Sequence, residues 1–239
     1  MEVRGDRECK NCGTRWSYYE TGSPACPECG SLQSVGIGER RLHTDRPAEL
    51  DLAAAIEALA DDRHREAGEA AEETAREYVR RRGFVDAGDL RTLEETFLAA
   101  WEIRHVAQRL RLVTPSLIAD DAIDLRYVRT LFEAAAAGDR PAAADVPETM
   151  AGPRGLAIAD AVDSYHDAVK HWVEDTDADV SVGGLLGRLD SHVCRVNALD
   201  GAVEPREAEK LLDAARALGD YARTGSGRSA VERALESIE

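Results

Sequence analysis

Apolar residues recur every three or four positions over most of the chain after residue 44, a spacing that places them on one face of a helix. Pro47 suits a first helical turn, and the helical pattern that follows runs to Gly83. This stretch predicts either one long helix or two helices that break at Gly68. A second helical region is predicted from Asp89, a suitable N-cap, to about Leu112.

A long loop or hinge is predicted in the middle of the helical region. A third helix is predicted from the apolar residues Ile123, Val128, Leu131 and Phe132. It stops at Gly138, because glycine commonly follows the end of a helix. The stretch from Gly138 to Gly155 then contains Pro141, Pro147 and Pro153, a composition that is typical of a loop.

The helices predicted after this loop have recognisable start signals. The fourth, over residues 158–173, has the most regular apolar stripe. Ser181 is a suitable N-cap for the next helix, Pro205 suits the first turn of another, and Ser229 begins an S-x-x-E capping box for a short terminal helix. We find no strand pattern after residue 40, so residues 44–239 are predicted to form an all-α bundle of about six to seven helices.

The first forty residues follow a different pattern, with short alternating segments and turns. Thr14 to Glu20 alternates as a strand, and Thr21 to Pro24 has the composition of a tight turn. A further strand is predicted from about Leu32 to Ile37. Residues 1–43 are therefore expected to form a small β module ahead of a mainly α domain over residues 44–239.

Four cysteines in this β module form two C-x-x-C-G sequences, Cys9 with Cys12 and Cys26 with Cys29. Each such sequence makes a tight turn in which two thiolates reach one ion, and two turns complete a tetrahedral four-sulfur shell. A segment this small buries too little surface to fold unaided, so the ion supplies folding free energy, about 10 kcal/mol in zinc-finger peptides. One structural Zn²⁺ ion is the predicted cofactor; iron in the same site, two disulfides or free thiols are the alternatives.

The predicted shell favours a structural metal over a catalytic one. With all four positions filled by protein sulfurs, no coordination position is left for a substrate. The sequence contains no phosphate-binding glycine loop and no local signature of a nucleophilic cysteine, and Cys194 stands alone far from the other four. No catalytic residue is therefore assigned, and a non-enzymatic role is favoured.

The paired C-x-x-C-G sequences resemble the zinc ribbons of archaeal and eukaryotic transcription machinery, notably the transcription factor B type. The chain also resembles halophilic archaeal proteins that join such a ribbon to an acidic helical domain. The resemblance implies that Cys9, Cys12, Cys26 and Cys29 are metal ligands, and it covers about a sixth of the chain. The helical part shows no pair of cyclin-like repeats, so the promoter-binding role of transcription factor B is not implied.

Charge is distributed unevenly between the two parts of the chain. Lysine and arginine total 30 against 46 aspartates and glutamates, a formal net charge of −16. Residues 1–46 carry equal numbers of each sign, so the excess negative charge lies entirely in residues 47–239. The acidic body repels phosphate, so any nucleic acid must be bound by the ribbon, and a protein is the expected partner.

The overall composition also bears on the origin and location of the protein. Acidic excess, abundant alanine and arginine in place of lysine are typical of salt-loving organisms with GC-rich genomes. No basic-then-apolar leader opens the chain, and no run approaches the ~18 apolar residues of a membrane span. We therefore expect a cytoplasmic protein that makes no membrane contact.

Aromatic and basic residues of the β module allow two interpretations each. Trp16 and Tyr18 are predicted on one side of a strand and Tyr19 on the other, where they either stack on a partner or, as we favour, form a mini-core beside the metal. Three arginines form an arginine collar around His43 in the sequence, where the ribbon joins the body, namely Arg40, Arg41 and Arg46. The collar is either a contact for a phosphate or an acidic partner, or part of a solvated linker.

An enzymatic alternative follows from two acid-x-x-His pairs, Glu102 with His105 and Asp163 with His166. Ferritin-like bundles hold a di-metal centre with Glu-x-x-His pairs from two helices and two further glutamates. A four-cysteine iron site attached to such a bundle would resemble rubrerythrin, an iron-dependent oxidoreductase. One pair begins with Asp163 rather than glutamate, so we favour a zinc-stabilised interaction protein and keep this oxidoreductase as the alternative.

Overall fold

A computed structural model of the chain describes residues 2–112, 123–176 and 180–238. It has a small antiparallel sheet at the N-terminus, with the cysteines at one end, followed by a mostly helical region. The predicted fold class is confirmed. In the described ranges, eight helices of eight residues or more follow the ribbon, somewhat more than the six to seven expected.

The ribbon sheet contains strands β1 (Glu2–Cys9), β2 (Arg15–Ser17) and β3 (Ser34–Leu42), in the order β2-β1-β3. The sequence pattern did not predict β1, because the residues of this strand are mostly charged and carry no apolar alternation. It also misplaced β3, which starts and ends later than the predicted Leu32 to Ile37. The β1·β3 register shifts between Arg4 and Asp6, where Gly38 has a φ of 81°.

The predicted strand from Thr14 to Glu20 is wrong beyond Ser17. A single helical turn, α1 (Tyr18–Thr21), replaces it, because the Ser17 hydroxyl accepts from the backbone N–H of Glu20 and caps the turn. Gly22 ends the turn in the left-handed conformation and its N–H donates to the Tyr18 carbonyl.

The first helical region consists of two helices, α2 (Ala53–Ala60) and α3 (His64–Arg81), so the helical pattern begins later than Pro47 suggested. The break lies at Asp62, whose φ is 59°, and not at Gly68. Gly68 instead lies inside α3, where an added Cβ would come within 2.9 Å of the Ala107 carbonyl oxygen. This glycine therefore permits the close packing of α3 against the next long helix.

A short hairpin, β4 (Val85–Asp86) with β5 (Asp89–Leu90), corrects the prediction that no strand follows residue 40. Its two-residue turn places Ala87 and Gly88 at positive φ. Asp89 is therefore a strand residue and not an N-cap. The predicted helix begins only at Glu95 and ends at Leu110, as α4 (Glu95–Leu110).

The predicted long loop is shorter than expected at its C-terminal end. Helix α5 (Leu125–Ala136) is capped by Asp124 and is followed by Gly138 at a φ of 83°. Helix α6 (Ala151–Asp175) then begins four residues before the predicted end of the loop and includes Pro153. Proline is tolerated in a first turn because the first N–H groups of a helix have no partner within it.

Three helices complete the bundle: α7 (Gly183–Ala198), α8 (Pro205–Thr224) and α9 (Arg228–Glu236). The predicted start at Pro205 is confirmed. The other two start signals are wrong, because Val182 is the N-cap of α7 in place of Ser181, and Gly227 precedes α9 while Ser229 lies inside it. The buried apolar residues of the helices form one cluster that also contains Phe84 and Val85 of the hairpin region.

The hairpin also connects the ribbon to the bundle. The N–H groups of Thr44 and Asp45 both donate to the Val85 carbonyl, at 2.9 and 3.1 Å, and the Gly88 N–H donates to the carbonyl of Leu42 at 2.8 Å. The buried Asp45 carboxylate pairs with Arg82 at 2.9 Å. This segment is therefore a packed joint, although its side chains alone suggested a solvated linker.

Candidate metal centre

The two C-x-x-C-G sequences adopt matching backbone turns at one end of the ribbon sheet. In the first turn, the Cys9 N–H donates to the Thr14 carbonyl and the Gly13 N–H donates to the Cys9 carbonyl, at 2.9 and 3.0 Å. In the second turn, the Cys26 N–H donates to the Ser31 carbonyl and the Gly30 N–H donates to the Cys26 carbonyl, both at 2.9 Å. The sequence repeat thus produces a structural repeat.

Both turns require their glycine for a conformational reason. Gly13 has a φ of 75° and Gly30 a φ of 68°, a region that residues with a Cβ rarely adopt. No atom lies within 4 Å of a Cβ built at either position, so backbone conformation and not lack of space explains the residue type.

The turns bring four sulfur atoms together from positions up to twenty residues apart. Cys9 Sγ lies 3.6 Å from Cys29 Sγ, and Cys12 Sγ lies 3.5 Å from Cys26 Sγ. All four sulfurs lie within 4.8 Å of one another. A tetrahedral shell with metal–sulfur bonds of ~2.3 Å separates its sulfurs by ~3.8 Å, so the group has the size that one ion requires.

The environment of each thiol differs although the turns match. The Thr14 hydroxyl oxygen lies 3.2 Å from Cys12 Sγ. This hydroxyl and then the Thr14 backbone N–H make the largest of several hydrogen-bond contributions that together lower the pKa of Cys12 to about 6. The backbone N–H of Cys12 lowers the pKa of Cys9. Burial has the opposite effect on Cys26 and raises its pKa to about 11.

Asn11 supplies further hydrogen bonds to the sulfurs. Its backbone N–H lies 3.4 Å from Cys9 Sγ, and its side-chain amide nitrogen lies 3.7 Å from Cys29 Sγ. Donors of this kind stabilise thiolate charge and orient metal ligands. Neither Asn11 nor Thr14 was assigned to the metal site from the sequence, although their positions inside and just after the first C-x-x-C-G were a usable signal.

The ribbon aromatics contact neighbouring ribbon residues, and their place in a mini-core beside the metal stays a prediction. All three are half-buried. The indole N–H of Trp16 donates to the Ser23 carbonyl at 3.2 Å, and the Tyr19 ring covers Gly5, where an added Cβ would lie 2.0 Å from a ring carbon. Tyr18 has the Arg7 guanidinium 5.8 Å from its ring centroid.

The arginine collar surrounds a residue that is itself buried. His43 is packed against Tyr19, with ring centroids 4.7 Å apart, and its Nδ1 accepts from the Ala87 N–H at 3.3 Å. Burial lowers the pKa of His43, so the ring is neutral in this joint at neutral pH. Arg40 and Arg41 are exposed around it.

The first acid-x-x-His pair of the bundle does not act as a unit. Glu102 is fully buried and accepts from Arg154 at 2.5 Å and from the Tyr127 hydroxyl. His105 instead pairs with Asp160 at 2.7 Å. The carboxylate of Glu102 is thus already occupied by an arginine and a tyrosine.

The second pair does not act as a unit either. His166 contacts its neighbour Asp167 at 3.3 Å, and burial raises the pKa of Asp163. Within the part of the chain that the structure describes, only the four ribbon cysteines form a metal-binding group of three or more histidine, cysteine or acidic residues. Neither acid-x-x-His pair belongs to such a group, and the exposed Cys194 stays apart.

No helix in the described ranges combines the length and apolar character that crossing a bilayer requires.

Comparison with known proteins identifies a family for this chain but no individual relative. No curated protein and no solved structure matches the chain. A family model described as "Family of unknown function (DUF7117)" matches residues 1–238. Since that match includes both the ribbon and the helical region, the chain belongs to this family.

Proposed function

We propose that the protein is a non-enzymatic, zinc-stabilised interaction protein, in which Cys9, Cys12, Cys26 and Cys29 hold one structural Zn²⁺ ion. The ribbon docks on a partner protein, and the acidic bundle serves as a scaffold or as a second protein surface. The proposal rests mainly on one observation, the convergence of four sulfurs to within 4.8 Å of one another. Four thiolates are a ligand set that zinc and iron–sulfur centres share.

A structural role follows from the composition of this shell. Four protein sulfurs satisfy a tetrahedral ion, so no position remains at which a substrate or an activated water could bind. The ion would instead hold the two turns together, and its binding free energy would be the folding free energy of the ribbon.

A protein partner is favoured over nucleic acid by charge. Four thiolates around a divalent ion add two negative charges to a ribbon whose other charges balance, and the body repels phosphate. Leu32, two residues after Gly30 of the second turn, is 73% exposed. An exposed leucine is an apolar contact that a protein surface can bury, and the ribbon's resemblance makes transcription machinery the first class of partner to test.

Metal analysis of the purified full-length protein tests the proposal and separates it from the oxidoreductase alternative. We expect one zinc per chain and a colourless protein that becomes coloured when Co²⁺ replaces the zinc. Iron in the ribbon together with iron in the bundle, or turnover of a peroxide by the native protein, would support the alternative instead.

A second experiment tests the docking role. Wild-type protein and Cys12→Ser are compared as baits in native lysate at high salt, because both share the same acidic body. A defined partner that is captured by the wild type and lost in the variant supports docking through the ribbon. Equal capture by both baits would show that the ribbon is not the docking surface.

A further inference from the structure

Strand β3 forms one edge of the ribbon sheet, because β1 pairs with it on one side only. The carbonyl of Leu42, at its C-terminal end, accepts from the hairpin residue Gly88. From Val35 to Arg41, no backbone group bonds to any described residue outside the sheet. Within the sheet, the Gly38 carbonyl accepts from the side chain of Arg4 in β1 at 2.8 Å. This stretch is therefore an open strand edge.

The direction of the free backbone groups can be assigned at one position. Alternate residues of an antiparallel strand direct their N–H and C=O groups to the same side. Leu42 directs its carbonyl to Gly88, which lies outside the sheet, so Arg40 directs its backbone N–H and C=O outward as well. Arg40 itself is an exposed residue, and neither of these backbone groups is bonded to a described residue outside the sheet.

Arginines that lack acidic partners lie on this edge and on the neighbouring strand β1. Arg4 and Arg40 are directly opposite in the β1·β3 register, so two like charges lie on one face of the sheet. Among the five ribbon arginines, only Arg15 forms an ion pair with a carboxylate in the described ranges. The bundle, in contrast, pairs arginines such as Arg82 with acidic residues.

An opposed and unpaired Arg4–Arg40 couple is unexpected in a chain with 46 acidic residues against 30 basic ones. Like charges directly across a strand pair destabilise it. Such a pair becomes favourable when an anion lies between or beside the two guanidinium groups.

We propose that the β3 edge binds an extended acidic peptide segment of a partner protein, which adds as a further strand beside Arg40. Backbone pairing supplies part of the affinity, and carboxylates on the face shared with Arg4 and Arg40 supply the sequence preference. The proposal rests on the proposed function, because it identifies the chemistry of the partner that docks on the ribbon.

A peptide fits this edge better than a nucleic acid does. A nucleic acid has no backbone amides to pair with the outward N–H and C=O groups of Arg40, and its phosphates would face the acidic body. An acidic peptide of a few residues carries less charge and reaches only the ribbon edge.

The test uses zinc-loaded, full-length protein and a fluorescent Thr-Glu repeat peptide of about eight residues, which has the length of the open edge. A Pro-Glu repeat with the same charge is the matched control, because proline has no N–H and cannot pair along a strand. A single-stranded DNA of equal charge is the third probe. Fluorescence anisotropy at fixed, moderate salt measures the dissociation constants.

We expect saturable binding of the Thr-Glu peptide, at least about tenfold weaker binding of the Pro-Glu peptide, and little binding of the DNA. Arg40→Glu should weaken Thr-Glu binding by about tenfold or more, since it replaces attraction by repulsion. Arg46→Glu makes the same charge change at an exposed residue outside the strand and should leave binding nearly unchanged. Zinc content of each variant verifies that the ribbon is folded.

The outcomes separate this proposal from the proposed function. Zinc-loaded protein that does not bind the Thr-Glu peptide, or binds both peptides equally, overturns the strand-addition proposal and leaves the zinc ribbon intact. Tighter binding of DNA than of peptide overturns it in favour of a phosphate surface. A protein that holds no metal overturns the proposed function itself.

Discussion

Thr14 acts directly on one of the four sulfurs, although it is not a ligand. Its hydroxyl is the largest of several hydrogen-bond contributions that lower the pKa of Cys12 to about 6, so protons compete less with a metal ion for this sulfur. In Thr14→Val the pKa of Cys12 should rise, and the pH at which half of the zinc is released should increase by about half a unit to one unit. A chromogenic chelator that reports free zinc during an acid titration measures this midpoint.

Thr14→Ser is the matched control, because it keeps the hydroxyl and should keep the wild-type midpoint. The sign follows from the state that binds metal: the thiolate persists above its pKa, and acidification through the pKa removes it. A midpoint in Thr14→Val that equals or lies below that of the wild type would show that the hydroxyl does not support the Cys12 thiolate.

At the residue scale, the sequence predicted which side chains come together when their spacing was short and repeated. The two C-x-x-C-G turns are local, so their four cysteines could be assigned without a structure. The surroundings of Glu102 could not be predicted from the sequence, because Arg154 and Tyr127 are distant in sequence and reach Glu102 only after the helices pack. Spacing alone made Glu102 resemble a metal ligand.

The ribbon and the bundle are expected to respond differently to loss of the metal. Cys12→Ser removes one ligand, and the ribbon should unfold because its sheet buries few side chains of its own. The bundle has a continuous apolar core and should keep most of its helical signal. Circular dichroism measures the helices, and amide resonances of the ribbon report its loss.

Cys194→Ser is the control for removing a thiol, since Cys194 is exposed and far from the metal centre. It should change neither signal. Loss of helicity throughout Cys12→Ser would mean that the joint between β3 and the hairpin, where Leu42 accepts from Gly88, transmits unfolding into the bundle.

At the element scale, regular apolar spacing predicted the long helices. It failed where turn and cap residues determine where an element begins or ends. The hairpin has only two residues in each strand, too few for an alternating pattern, and Ala87 adopts a positive φ without a residue type that signals it. The start of α6 was hidden by Pro153, which reads as a loop residue and lies in a first helical turn.

A buried charge network joins the helices of the whole molecule. Arg154 of α6 pairs with Glu102 of α4 at 2.5 Å and with Glu209 of α8 at 2.9 Å. Arg140, from the loop after α5, pairs with Glu209 at 2.6 Å. Burial and the neighbouring Glu102 carboxylate raise the pKa of Tyr127, so its hydroxyl stays a neutral donor to that carboxylate.

Replacing Glu102 by glutamine should destabilise the molecule strongly, because Arg154 then keeps a buried charge with one partner fewer. We expect a loss of about 3 kcal/mol in the free energy of unfolding, measured by urea denaturation. Glu232→Gln, which removes the exposed i,i+4 pair with Arg228, is the matched control and should cost less than about 0.5 kcal/mol. Similar losses in both variants would mean that burial does not distinguish the two pairs.

The net charge of −16 predicts how salt acts on the molecule as a whole. Repulsion among exposed carboxylates of the bundle opposes the compact state, and raising salt from about 0.1 M to 1 M shortens the Debye length from ~10 Å to ~3 Å. The free energy of unfolding in urea should therefore rise with sodium chloride. The loss caused by Glu102→Gln should stay nearly constant over the same range, because a fully buried pair is screened much less than surface charge. A wild-type stability that is flat or falls with salt would show that self-repulsion does not limit the fold.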